Sequence, residues 1–177
     1  LLGLFASSAV STSRLARLWA SFLLEHSLAA KVNGRVLLVV DGIKVPRSGR
    51  RMPAVKKLYQ SSESNTKPEY IQGHSMQSVA LLVRSINGVS AIPVFSRIME
   101  GLKETPKDTH SQLDRLPSWL GAFTSSKPFY LVADAYYASG SFAKQILKLN
   151  GHIITRARSN AVAYQPPERQ KNRGRPR

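Results

Sequence analysis

The stretch Arg35-Val36-Leu37-Leu38-Val39-Val40-Asp41-Gly42-Ile43-Lys44-Val45-Pro46 decides how the rest of the chain is read. Aliphatic residues run without interruption from Val36 to Val40 and straight into an acid. A run with no polar alternation marks a strand covered on both faces. Asp41 is then expected where the strand leaves the core, its carboxylate half in water and able to hold a cation. The pattern recurs at Phe129-Tyr130-Leu131-Val132-Ala133-Asp134-Ala135-Tyr136-Tyr137. Taken singly, Asp41-Gly42 reads as a turn and Asp134 as the cap of a following helix. Taken together, two such strands at the centre of one sheet would bring both carboxylates to a common cation. Like charges that close repel unless a metal or a Lys/Arg neutralises them. An oxygen-only site of this kind suits phosphoryl transfer, where two ions about 3.5–4 Å apart serve the attacking and leaving oxygens.

The chain has 177 residues and is 42% hydrophobic, enough for one domain with a core. Lys and Arg total 26 against 10 Asp and Glu, a net charge of +16. A fold gains nothing from such an excess, which points to a polyanionic partner, nucleic acid or an anionic membrane. Cysteine is absent, so disulfides and thiolate metal sites are excluded. With carboxylates as ligands, Mg2+ or Mn2+ is favoured over zinc. No apolar run reaches the roughly 18 residues of a membrane span. Leu1 to Val10 is mildly apolar but lacks an initiating Met and a basic flank, a poor signal peptide. The abrupt start and the close on Arg173-Gly174-Arg175-Pro176-Arg177 are those expected of a fragment.

Ser11 to Ser13 offers a cap for a helix reaching about Leu28, with Leu15, Leu18, Trp19, Phe22 and Leu23 as its apolar face. The segment from Lys44 to Lys57 holds Lys44, Arg47, Arg50, Arg51, Lys56 and Lys57 and no acid. It reads as a basic loop or a short ordered excursion, either a solvated surface or a set of phosphate contacts beside Asp41. His74–Arg84 and Val89–Ile98 read as strands joined through Asn87-Gly88, a strong hairpin signal. Pro93 inside the second demotes it to an edge or a bulge. A helix over Ser111–Phe123 is expected to kink or begin near Pro117. Ser139 or Ser141 caps the next, with Phe142, Ile146, Leu147 and Leu149 buried and Asn150-Gly151 closing it. His152–Arg158 is read as a last strand. A three-strand meander followed by alternating helix and strand predicts a mixed α/β sheet.

Glu63, Glu69, Glu104, Asp108 and Asp114 sit in polar surroundings, and Glu100, at the end of the third strand, is a third candidate acid. The four histidines have no metal-ligand spacing. Tyr136-Tyr137 would pack in the core or stack on DNA. Arg173-Gly174-Arg175-Pro176 has the form of an AT-hook core, read either as a minor-groove contact through Arg173 and Arg175 or as a flexible basic linker. The expected division is a helical segment 1–34, a core 35–165 and a basic Pro/Arg-rich linker 166–177.

Four phrases carry a family resemblance: Val39-Val-Asp41-Gly-Ile-Lys-Val-Pro46, Gly49-Arg-Arg-Met-Pro-Ala-Val-Lys-Lys-Leu58, Ser64-Asn-Thr-Lys-Pro-Glu-Tyr-Ile-Gln-Gly-His74 and Val132-Ala-Asp134-Ala-Tyr-Tyr-Ala-Ser-Gly140. Over nearly its whole length the chain resembles bacterial insertion-sequence transposases of the DDE-superfamily endonuclease group. The resemblance implies a ribonuclease-H-like fold with its C-terminal part missing. It implies two Mg2+ ions on an Asp-Asp-Glu/Asp triad, with Asp41 matching the first acid and Asp134 the second. The third acid belongs on a downstream helix, and the only acid after Asp134 is Glu168, in the basic tail. Metal-dependent hydrolysis and strand transfer at transposon ends and target DNA would follow, by a homo-oligomer on DNA in the bacterial cytoplasm at the nucleoid, with no membrane partner. The alternatives are a DNA-binding remnant without catalysis and a non-transposase nuclease of the same fold.

Overall fold

The computed structural model describes residues 11–49, 52–59, 68–98, 111–124 and 127–162. Helix α1 (Thr12–His26) starts at Ser11, whose side chain accepts from the Arg14 amide. Strand β1 (Lys31–Val32) turns through Asn33 and Gly34 into β2 (Arg35–Pro46). Both turn residues are left-handed, φ 50° and 74°, which matches the twist of the paired strands. Then come β3 (Lys56–Tyr59), β4 (Tyr70–Ser85), β5 (Gly88–Ile98), α2 (Gln112–Thr124) and β6 (Phe129–Val132). A 3-10 turn (Ala135–Tyr137), α3 (Gly140–Lys148) and β7 (Gly151–Ile154) follow.

The strands make one mixed sheet in the order β3-β4-β2-β6-β7, with β1 beside β2 and β5 beside β4. Strands β2, β4 and β5 form the expected antiparallel meander, and β6 and β7 add in parallel. Pro93 lies in β5, where the ladder with β4 slips its register next to Val79 and Ala80, as a proline without an amide donor requires. Alternate residues of the central strands turn one way: Val36, Leu38 and Val40, Val79, Leu81 and Val83, Phe129 and Leu131. They join Ala20 and Leu23 of α1, Leu116 and Leu120 of α2, and Phe142 and Ile146 of α3 in one core. Each large side chain fully withdrawn from water there contributes about 1.5–3 kcal/mol.

Several sequence expectations change. The strand through Val36–Val40 does not stop at Asp41 but continues to Pro46, because β4 pairs with it as far as Gly73. The Lys44–Lys57 segment is not simply a loop: it begins in β2, and Lys56 and Lys57 open β3, paired with Gly73 and Gln72 of β4. Helix α1 buries Ala20 and Leu23 rather than its aromatic stripe, and Leu15, Leu18, Trp19 and Phe22 are exposed. The small alanine lets the helix approach closely, so the larger side chains fall to the flank, where Trp19 Nε1 reaches the Pro93 carbonyl at 2.8 Å. Pro117 lies inside α2, not at its start. Leu147 is exposed on α3 while Phe142 and Ile146 are buried. The last strand ends at Ile154, short of Arg158. Glu63, Glu100, Glu104 and Asp108 lie outside the described residues.

Asn150, left-handed at φ 60°, ends α3 and delivers Gly151 against Phe129, its register partner in β6. A Cβ built on Gly151 would stand 2.4 Å from the fully buried Phe129 ring. Gly151→Ala is therefore expected to lower stability by about 1–3 kcal/mol through overpacking, as measured by urea unfolding. An unchanged midpoint would mean that the ring has room to move.

Candidate active site at the ends of β2 and β6

The parallel ladder between β2 and β6 runs Val36↔Phe129, Leu37↔Tyr130, Leu38↔Leu131 and Val39↔Val132. Two further residues along each chain place Asp41 and Asp134 at one level. Register partners share a face, since Val36 and Phe129, and Leu38 and Leu131, are buried together. Asp134 keeps an extended backbone, φ −76° and ψ 177°, so the alternation of faces carries on to it. Continued past the ladder, the alternation would set both acids on the same side of the sheet, on strands whose axes are about 4.8 Å apart. Both are exposed to solvent.

Local bonds orient each carboxylate. Asp41 Oδ1 accepts from the Gly42 amide at 2.7 Å. Asp134 caps the 3-10 turn, its Oδ1 accepting from the Tyr136 amide at 3.0 Å. The turn lays Tyr137 under the site, 2% exposed, where Gln77 Nε2 donates to its hydroxyl at 2.8 Å. Burial pushes the Tyr137 hydroxyl up to about 12. The Gln77 bond acts the other way, and the negative charges of Asp134 and Asp41 add to the rise. One buried hydroxyl thus lies in the field of both acids.

Gln77, fully buried on β4, is the polar residue that sequence reading passed over. Its signal was there: it falls in phase with Val79, Leu81 and Val83, on the face that should be apolar. Its Oε1 has no hydrogen-bond partner among the described residues. Tyr137, left open between core and DNA stacking, is core, and Tyr136 is half exposed.

Past Ile43 the sheet narrows to β2, β4 and β3, a three-stranded arm that carries Lys44, Arg47, Lys56 and Lys57, all exposed. Lys44 Nζ donates to the Tyr59 carbonyl at 2.6 Å, and Lys57 Nζ stands 4.2 Å from the Tyr70 ring centre. Arg50, Arg51, Arg173 and Arg175 lie outside the described residues. Of the remaining acids, Asp114 bonds the Ser111 amide at 2.8 Å at the start of α2. Among the described residues no group of three or more His, Asp or Glu gathers to hold a metal. No helix among them is long and apolar enough to cross a membrane.

Removing the hydroxyl in Tyr137→Phe strands the Gln77 amide in the core, and a stability loss of about 1–3 kcal/mol is expected. The pH dependence has a definite sign. A tyrosine titrating at 10 when unfolded and at about 12 when folded keeps its proton longer in the folded state. The stability it contributes is complete below pH 10 and disappears as pH rises through 12. The gap between wild type and Tyr137→Phe in urea should accordingly close over that interval. A gap that holds constant would contradict the raised value.

The profile of the DDE superfamily endonuclease family matches residues 2–177. No curated protein matches the sequence. Among solved structures, a cryo-EM structure of a piggyBac transposase synaptic complex with hairpin DNA is similar over 71% of this chain and 23% of that one. Its TM-score is 0.45 and its sequence identity 15%. The curled mixed sheet with flanking helices is consistent with the ribonuclease-H-like fold of a DDE nuclease. With a profile that spans the whole described region, the chain belongs to the DDE superfamily endonucleases.

Proposed function

We propose that this chain forms part of a transposase catalytic domain in which Asp41 and Asp134 hold divalent metal for DNA phosphodiester hydrolysis and strand transfer. The observation that carries the proposal is the parallel register of β2 and β6, which, continued two residues past Val39 and Val132, would set Asp41 beside Asp134. Oxygen donors from exposed carboxylates fit a hard cation such as Mg2+ or Mn2+. When bound, such an ion polarises the scissile phosphate and lowers the pKa of the attacking water. The protein's own part is to hold two like charges side by side before the metal arrives, on strands too well packed to splay. Asp41 and Asp134 supply two of the three acids that the family name describes, and the third is to be sought outside the described residues.

The basic arm gives DNA a place to lie. Lys44, Arg47, Lys56 and Lys57 would contact phosphates next to the two acids, fixing position without reading sequence. Arg50 and Arg51 would extend that contact, and Arg173 and Arg175 would add a groove contact. Transposon ends and target DNA are the proposed substrates, and assembly of several copies on them the proposed working form.

A DNA-binding remnant without catalysis is the second reading, for which the chain's net charge of +16 would suffice. Cleavage decides between them. In the full-length protein, Asp41→Ala and Asp134→Ala should each abolish metal-dependent nicking of plasmid DNA while leaving DNA affinity within about twofold of wild type. Nicking at the wild-type rate in either variant would end the assignment. An inactive wild type that still binds DNA would favour the remnant.

The arm makes a separate prediction. DNA affinity should fall steeply with salt, at about 0.9 in log–log slope per phosphate contact. Arg47→Ala combined with Lys57→Ala should reduce that slope by roughly 2. A slope unchanged by the pair would remove them from the interface.

A further inference from the structure

Three consecutive carbonyls, beginning with that of the second acid itself, are all held by one short segment downstream of β7. Thr155 Oγ1 donates to the Asp134 carbonyl at 2.6 Å. Arg158 Nε donates to the Ala135 carbonyl at 3.1 Å, and Arg158 Nη2 to the Tyr136 carbonyl at 2.8 Å. Just upstream, the Ala133 amide donates to the Ile154 carbonyl at 3.0 Å, so this is the β6–β7 ladder continued by side chains. The 3-10 turn does not rest on its own bonds alone.

From these bonds we infer that Arg158, assisted by Thr155, is the positioning residue for the Asp134 carboxylate, and that it tunes the metal affinity of the proposed site. This inference rests on the catalytic reading given above. The Asp134 carboxylate is aimed by its bond to the Tyr136 amide. That amide belongs to the turn whose carbonyls Arg158 grips. A planar guanidinium can donate to two adjacent carbonyls at once, a geometry the single ammonium of lysine does not reproduce. Donors that orient a metal-binding carboxylate from behind typically change metal affinity 10–100-fold when removed.

The test is Mn2+ binding to the full-length protein without DNA, followed by isothermal titration calorimetry and electron paramagnetic resonance. Arg158→Ala should weaken Mn2+ binding about 10-fold or more. Arg158→Lys should remain impaired, because charge alone does not restore the two-carbonyl grip. DNA affinity measured with Ca2+ should stay within about twofold. If Arg158→Ala is folded by circular dichroism and binds Mn2+ like wild type, the inference is overturned. A loss of DNA affinity with normal Mn2+ binding overturns it too, and makes Arg158 a phosphate contact. Should Arg158→Ala not fold, Thr155→Val removes one donor of the three: weaker Mn2+ binding supports the inference, and unchanged binding in the folded variant overturns it. Asp134→Ala separates the two levels. If that variant binds Mn2+ as tightly as wild type, the catalytic reading itself fails, independently of Arg158.

Discussion

The parallel pairing of β6 with β2 is the constraint on which the candidate site depends. Without it, Asp41 and Asp134, 93 positions apart in the chain, have no reason to meet. With it, the last paired residues, Val39 and Val132, set the level of both acids. Parallel strands cannot be joined by a tight turn, so the chain between them has to build other structure first. Here that interval holds the antiparallel meander and helix α2. The meander supplies β4 as the other neighbour of β2, and α2 covers the core face.

The two faces of β2 divide the work. Val36, Leu38 and Val40 anchor the strand in the core with the three helices, which resists any separation of β2 from β6. Asp41 takes the opposite alternation and leaves that packing undisturbed. An acid that followed the buried alternation would have been forced to lose its charge or find a partner. Gln77 and Tyr137 show the cost on the buried side: a polar pair, one bond between them, and an amide oxygen left without a partner among the described residues. The proximity of that pair to both carboxylates makes the support beneath the site polar, where an apolar floor would raise the cost of charge further.

The site is also tied from behind. Thr155 and Arg158 extend the β6–β7 ladder onto the turn after Asp134, so the turn that follows the second acid is tied to β7 as well as to β6. This arrangement matches the demand placed on a pair of like charges. In the proposed metal site their repulsion would be borne by backbone geometry until a cation bound. The basic arm formed by β2, β4 and β3 then places positive side chains beyond the first acid, where a phosphate backbone passing the carboxylates would meet them.

Much of the fold was legible in the residues themselves. The aliphatic runs marked β2 and β6, Asn87-Gly88 marked the β4–β5 hairpin, and Ser11 and Ser139 marked helix starts, because strand burial, left-handed turns and caps are local effects. The same grammar put Asp41 and Asp134 each just past an aliphatic run. What remained hidden was set by contacts between distant segments. The exposed aromatic stripe of α1 could not be foreseen, since which face of an amphipathic helix is buried depends on how closely its neighbours approach. Strand β3 lacked a pattern of its own and exists because β4 extends far enough to pair with it. Gln77, Thr155 and Arg158 look ordinary in sequence, and only the folded chain brings them to the turn after Asp134. Thus local chemistry determined which residues form strands, turns and caps, while the register between strands decided which of them stand together, because hydrogen-bonded pairing across a sheet is a property of two segments and is written in neither alone.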